Sequence, residues 1–162
     1  MSTDAADSAS SGPVIRAATE ADATAIHDLV HDAQLNPRDL DWRRFLVADE
    51  VGTVVACAQV RVHGAGTREL ASVVVRPDRR ARGIGRTLVE AAIAREPVRP
   101  LHLFCESRTV AFWERFAFRT VEDEAIPRDM RATFRMGRIA VRALSISTHR
   151  HYALYVMRRD EP

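Results

Sequence analysis

The sequence contains no lysine: all 24 of its cationic side chains are arginines. That absence excludes a Walker phosphate loop, whose lysine must reach the phosphates, and it excludes Schiff-base and lysine-general-base chemistry. Cysteine is almost as scarce. Cys57 and Cys105 each stand in an apolar, strand-like run with no second cysteine nearby. A disulfide framework and a zinc site are therefore not indicated, and buried free thiols in a reducing cytoplasm are expected. No apolar run approaches the ~20 residues of a membrane span, so no membrane partner is expected. Acidic side chains nearly balance the arginines, leaving a formal charge of +2, too mild to indicate a nucleic-acid partner.

The first dozen residues, MSTDAADSASSG, hold neither a cationic nor an apolar block, unlike a signal peptide. Residues 1–13 read as a disordered tail and residues 14–162 as one domain, with a cytoplasmic location expected. Val14 to Ala18 has the pattern of a short strand. A helix follows, with Thr19 at its N-cap, Asp22 three residues on, and Ile26, Leu29, Val30 and Ala33 on one face. RFLVAD, TVVACAQVRV and RELASVVVR read as three antiparallel strands joined by short turns. A helix to about Arg95 carries the stripe Ile84, Leu88, Val89, Ala92 and Ile93, and Pro97 stops it. VRPLHLFC predicts a strand, SRTVAFWERFA a helix, FRTVED a strand and HYALYVMRR a last strand. Between those last two a helix over about 128–144 is expected, weakened by Gly137.

The stretch VRPDRRARGIGR, residues 75–86, places four arginines within seven residues and then two glycines, between a strand and a helix. A helix start carries unpaired N–H groups and partial positive charge, which suits phosphate. Glycine lets a diphosphate approach the backbone where a Cβ would collide. The dinucleotide pattern G-x-G-x-x-G fails at its third glycine, which is Leu88 here, and the strands before it do not suggest a βαβ start. The pattern that remains is R/Q-x-x-G-x-G/A, filled by Arg80, Gly83 and Gly85.

That segment resembles the cofactor motif of the GCN5-related N-acetyltransferase (GNAT) family. VIRAATEADATAI is similar to the family's opening, FWERFAF is similar to its FYEKLGF segment, and the order of elements resembles the family from Val14 to Arg158. The resemblance implies an α/β (α+β) fold with a mixed, mostly antiparallel sheet of about seven strands flanked by helices. It also implies acetyl-CoA as co-substrate and an N-acetyltransferase acting by direct transfer on the primary amine of a small molecule or peptide. By position, Val73, Val74 and Val75 would pair with pantetheine amides. The pyrophosphate would rest on Ala81, Arg82, Gly83, Ile84, Gly85 and Arg86, with Arg80 opening the motif, and Phe112 and Trp113 would pack along the thioester arm.

Glu69 lies fourteen residues before Gly83, the spacing of the glutamate base in the histone-acetyltransferase branch of the family. It is the candidate general base, against the alternatives that it pairs with an arginine across the sheet or faces solvent. Three positions depart from the family. Trp113 replaces the tyrosine acid, and indole cannot deliver a proton at useful pH. Either water assists the thiolate, whose pKa is roughly that of cysteine, ~8.5, or Cys105, Ser107, Tyr152 or Tyr155 substitutes. Glu106 stands where an asparagine is usual, and Ala117 where glycine is usual. Arg128, Arg131, Arg135, Arg138 and Arg142 are spaced three, four, three and four apart. They form either a solvated face paired with Glu122, Asp123 or Glu124, or a contact for an acidic acceptor, the CoA 3′-phosphate or nucleic acid. His149 and His151 are candidate acceptor-site groups, and the last strand offers a dimer edge. The competing functions are a non-catalytic acyl-CoA-binding regulator and a nucleic-acid-associated acetyltransferase using the arginine stripe.

Overall fold

The computed structural model describes residues 12–148 and 152–162. Most of the expected tail, and both His149 and His151, lie outside the described residues. Seven strands, β1 (Val14–Ala17), β2 (Phe45–Glu50), β3 (Thr53–Val62), β4 (Arg68–Val75), β5 (Leu101–Glu106), β6 (Arg119–Thr120) and β7 (Leu154–Arg159), form one sheet in the order β1-β2-β3-β4-β5-β7-β6. All neighbours are antiparallel except β4 and β5. Four helices accompany them: α1 (Ala23–Asp32), α2 (Ile84–Arg95), α3 (Val110–Glu114) and α4 (Arg131–Thr148). None among the described residues is long and apolar enough to cross a membrane.

Local chemistry accounts for most of these boundaries. The Asp22 carboxylate accepts the Thr19 N–H at 2.7 Å, so the entry to α1 is capped as the sequence predicts, although its first turn is 3-10. Val51-Gly52 makes the β2–β3 turn, where Gly52 takes a φ of 80° and donates its N–H to Asp49 at 2.6 Å. The stripe on α2 is buried at all five predicted positions.

Three elements differ from the reading above. The helix at SRTVAFWERFA is a 3-10 turn followed by only five α-helical residues. The expected strand FRTVED pairs over Arg119–Thr120 alone. The last helix starts at Arg131 and runs to Thr148 through Gly137. A Cβ on Gly137 would come within 2.7 Å of Leu154 Cδ2, so the glycine that weakens the helix also lets it approach β7.

The sheet has two unlike faces. On one, α2 and α3 cover the main core, with Leu70, Leu88, Val89, Leu103, Trp113 and Phe118. On the other, α1 covers Phe45, Val47, Cys57 and Val74, while Met130, in the turn before α4, and Phe134 on α4 pack with Phe104 and Val156. The alternation of side chains along β3, β4 and β5 puts Gln59, Arg61, Glu69 and His102 on this second face. All four are buried.

Candidate active site

Strands β4 and β5 pair only at Arg68↔Leu101 and Glu69↔His102. Beyond Glu69 they separate, and the side of Leu70–Val75 that faces β5 has no strand partner. Within this splayed half the β3–β4 register slips: Gln59 faces Ala71 and Cys57 faces Val74, so β4 carries one extra residue. Ser72 absorbs it with a φ of 53°. A bulge re-aims the strand's groups, and a non-glycine residue held in this region stores on the order of 1 kcal/mol or more. The Gln59 amide steadies it, Nε2 donating to Ser72 Oγ at 3.1 Å.

Strand β4 ends where Arg76 donates its N–H to Val55 O. A 3-10 turn over Pro77–Arg79 follows. The chain then passes through Ala81 (φ 61°) and Gly83 (φ 79°) before α2 opens. Alternating handedness of this kind curls successive N–H groups into a concavity suited to an anion. The first N–H groups of a helix have no intrahelical acceptor, and among the described residues none from Ala81 to Arg86 donates to backbone outside the helix. Gly85 lies against the end of β4, where a Cβ would meet Val75 Cγ2 at 3.3 Å.

The arginines divide into two groups. Arg76 clamps Asp78 with two bonds of 2.6 and 2.9 Å, and Arg79 bridges Glu50 and Asp78. Arg86 pairs with Glu90 at 2.8 Å, so only its N–H faces the turn. Arg80 donates to Val75 O. Arg82 is exposed. Much of the cationic density therefore shapes the loop, leaving Arg80 and Arg82 as the side chains best placed to meet an anion.

Glu69 stands at the point where β4 and β5 part. Its carboxylate lies 2.7 Å from His63 Nε2 and 3.9 Å from Arg61 Nη1, so the cross-sheet arginine expected as an alternative partner is present together with a histidine. His102, its neighbour across β5, is held toward the neutral form by burial and by the charge of Arg158. Gln59 Oε1, Arg61 Nε and His102 Nδ1 are buried with no hydrogen-bond partner. The sequence reading missed Gln59, Arg61, His63 and His102. For the first three the signal was the alternation of β3, carried on to residue 63, which sets residues 59, 61 and 63 on the face of Glu69; His102 comes from the β4–β5 pairing.

The departures from the motif have structural expression. Trp113 is buried and meets Phe112 and Phe118 edge-on, at 4.9 and 6.1 Å between centroids, so it serves the core beside the gap. Phe112 is partly buried against the same cluster. Ala117 adopts a φ of 60°, the conformation that makes glycine usual there. Cys105 points to Met157 Sδ at 3.3 Å, and burial pushes its thiol up to about 11, which removes it as a ready proton donor. Glu106 pairs with Arg108, whose guanidinium sits over the Tyr152 ring at 4.6 Å. Ser107 accepts the Ala153 N–H.

The arginine stripe is only partly a stripe. Arg128 precedes α4 in a turn, Arg131 donates to the carbonyls of Ile126 and Glu124, and Arg138 pairs with Asp123 at 2.7 Å. Arg135, Arg138 and Arg142 line an open groove of about 1130 Å³ between α4 and β7. It runs over Leu154 and Val156, which pair with the splayed half of β5.

Residues 41–120 match the acetyltransferase (GNAT) domain. Those residues form a GNAT domain. An uncharacterized N-acetyltransferase of Chlorobaculum tepidum is 32% identical over 88 residues, covering 52% of this chain and 56% of that protein. The chain thus spans about half the length of that curated relative. The fold is shared with N-acetylglutamate synthase of Neisseria gonorrhoeae complexed with coenzyme A and N-acetyl-glutamate, at 18% identity and a TM-score of 0.71, covering 93% of this chain and 35% of that one. A Mycobacterium tuberculosis protein in complex with CoA aligns at 24% identity and a TM-score of 0.68, over 93% and 100% of the two chains. The ribosomal-protein-S18-alanine N-acetyltransferase of Escherichia coli aligns at 18% and 0.63, over 91% and 92%. The GNAT match reaches from the turn before β2 to β6, and so includes the splayed strands, the glycine turn and Glu69.

Proposed function

We propose that this chain is an N-acetyltransferase that moves an acetyl group from acetyl-CoA to a primary amine by direct transfer. The observation that carries the reading is the junction of two features. The splayed half of β4 offers backbone groups at Val73, Val74 and Val75 to a pantetheine arm. The start of α2 offers unpaired N–H groups from Ala81 to Arg86 to a pyrophosphate, with Arg80 and Arg82 beside them. A diphosphate and an amide-bearing arm are the two parts of coenzyme A that such a strand and turn complement. Phe112 flanks the arm, and Trp113 supports it from the core.

An aliphatic amine is protonated at neutral pH, so transfer needs a base at the site. Glu69 fills that role, since it sits where the strands part, 2.7 Å from His63 Nε2 and in an ion pair with Arg61 at 3.9 Å. Trp113 donates no proton, and the leaving thiolate is stable enough to depart with water's help, its pKa being about that of cysteine. For the acceptor, the groove with Arg135 and Arg142 favours a small amine that also bears a carboxylate. L-Glutamate and a peptide beginning with alanine are the first amines to try, following the structures this chain resembles.

The test is release of CoA thiol from acetyl-CoA with L-glutamate, the alanine peptide and spermidine as acceptors. Turnover on one of them, lowered ~100-fold or more in Glu69→Gln, is the expected result for loss of a general base. The buried Trp113 favours a second reading, a non-catalytic sensor of acyl-CoA. Tight CoA binding with no turnover on any of the three would establish that instead.

A further inference from the structure

The end of the β3–β4 hairpin is built more firmly than a connecting turn requires. His63 donates its N–H to Thr67 O, closing the tip. The Asp129 carboxylate, entering from the turn before α4, accepts the Thr67 hydroxyl at 2.8 Å and the Ala65 N–H at 2.9 Å. Burial opposes the charge on Asp129, but these donors outweigh it and hold the carboxyl below its usual range. The tip is thus tied to a segment 62 residues away, and the His63 ring is fixed with Nε2 on Glu69 Oε2 at 2.7 Å.

A base this enclosed has a difficulty that follows from its burial. Only 5% of the Glu69 side chain is exposed. Each turnover would leave it a neutral carboxylic acid, which must lose its proton before the next amine arrives. Histidine is the side chain suited to passing protons near neutral pH. The His63 side chain, at 10% exposure, is the less enclosed of the pair.

Resting on the acetyltransferase reading above, we propose that His63 is the relay through which Glu69 returns its proton to solvent. The amine N–H bond breaks and an O–H bond forms on Glu69. That proton passes to the free Nε2 of the Nδ1–H tautomer of His63 while the carboxylate is restored; the imidazolium sheds its Nδ1 proton to water, and exchange with water returns the neutral ring to the Nδ1–H tautomer. The groups around the pair favour this direction. Arg61, from β3, gives the restored carboxylate a fixed positive partner at 3.9 Å. His102, facing from β5, stays neutral. Asp39 reaches Arg61 at 3.8 Å, and Asp129 is committed to the tip. His63 acts through Glu69 and is a positioning residue, not a catalytic one.

The experiment compares wild type, His63→Gln, His63→Ala and Glu69→Gln in acetyl transfer to L-glutamate, or to the alanine peptide where wild type uses that instead. CoA titration checks that each variant is folded. Glutamine keeps a donor for Glu69 but cannot carry a proton through, so His63→Gln is expected to lose at least tenfold in kcat with the KM for acetyl-CoA unchanged. Added imidazole should restore part of the rate to His63→Ala and none to Glu69→Gln. An active wild type with His63→Gln matching its kcat and pH profile, or with no imidazole rescue of His63→Ala, overturns the relay alone. A wild type that binds CoA and turns over none of the amines overturns the acetyltransferase reading, and the relay falls with it.

Discussion

Placing a carboxylate at position 85 separates ligand binding from folding. Gly85 has a backbone conformation open to any residue, and its virtual Cβ meets only the far end of Val75 at 3.3 Å. Replacing a helical glycine gains up to ~1 kcal/mol in propensity, and an acidic residue in the first turn gains ~0.3–1 kcal/mol more. The contact with Val75 offsets part of this. Gly85→Glu should therefore melt cooperatively within a few degrees of wild type, as ~1 kcal/mol shifts a domain of this size by about 2–4 °C. Binding should respond very differently. The new carboxylate occupies the concavity formed by residues 81–86 and repels an incoming diphosphate. Charge-assisted hydrogen bonds are worth about 1.5–3 kcal/mol each, so losing two weakens CoA binding roughly 100- to 10,000-fold. Isothermal titration with CoA reads this directly, with Gly85→Ala as a steric control expected to lose less. A Gly85→Glu protein that melts like wild type and binds CoA within threefold of it would refute the assignment of the helix start.

Other consequences are equally accessible. Ala117→Gly relieves a left-handed alanine and should stabilise the fold by about 1 kcal/mol, seen as a higher Tm. Asp22 is held well below the usual carboxylate range, chiefly by hydrogen bonds from Arg16 and also by Thr19. A depressed folded-state pKa gives stability that is present above the unfolded value, about 3.9, and is lost as pH falls toward the folded one. Asp22→Asn should therefore cost about 2 kcal/mol at pH 7 and flatten the loss of stability below pH 4 in acid-unfolding curves. Burial pushes the thiols of Cys57 and Cys105 up to about 12 and about 11, so Ellman's reagent should find neither in the native protein at pH 8 and both in guanidinium.

The sequence announced the strand and helix order because the periodicities of β2, β3, β4 and α2 are strong and glycine or proline punctuates them. The glycine turn before α2 was equally plain, since two glycines at a helix start mark a place where the backbone must stay open to close approach. What stayed hidden depended on contacts between distant residues. The bulge at Ser72 arises from how β3 and β4 share a register, and no local residue marks it. His63 and Glu69 are six apart across a hairpin, legible only once the pairing is drawn. Which acidic residue meets Arg138 was likewise open, and the structure selects Asp123, fifteen residues back, from the three the sequence offered. Gly137 pulled the expected helix toward weakness, whereas its fit against Leu154 decides the matter.

The two pairs of residues that join β4 to β5 make the sheet a pair of panels meeting at a short hinge, with a slit between them for most of its height. On the function proposed above, a pantetheine arm laid into that slit would act as a guest strand, lending the sheet the rungs its own sequence withholds. Amide exchange at Leu70–Val75 should then slow sharply once coenzyme is added, while the β1–β2 edge remains unchanged.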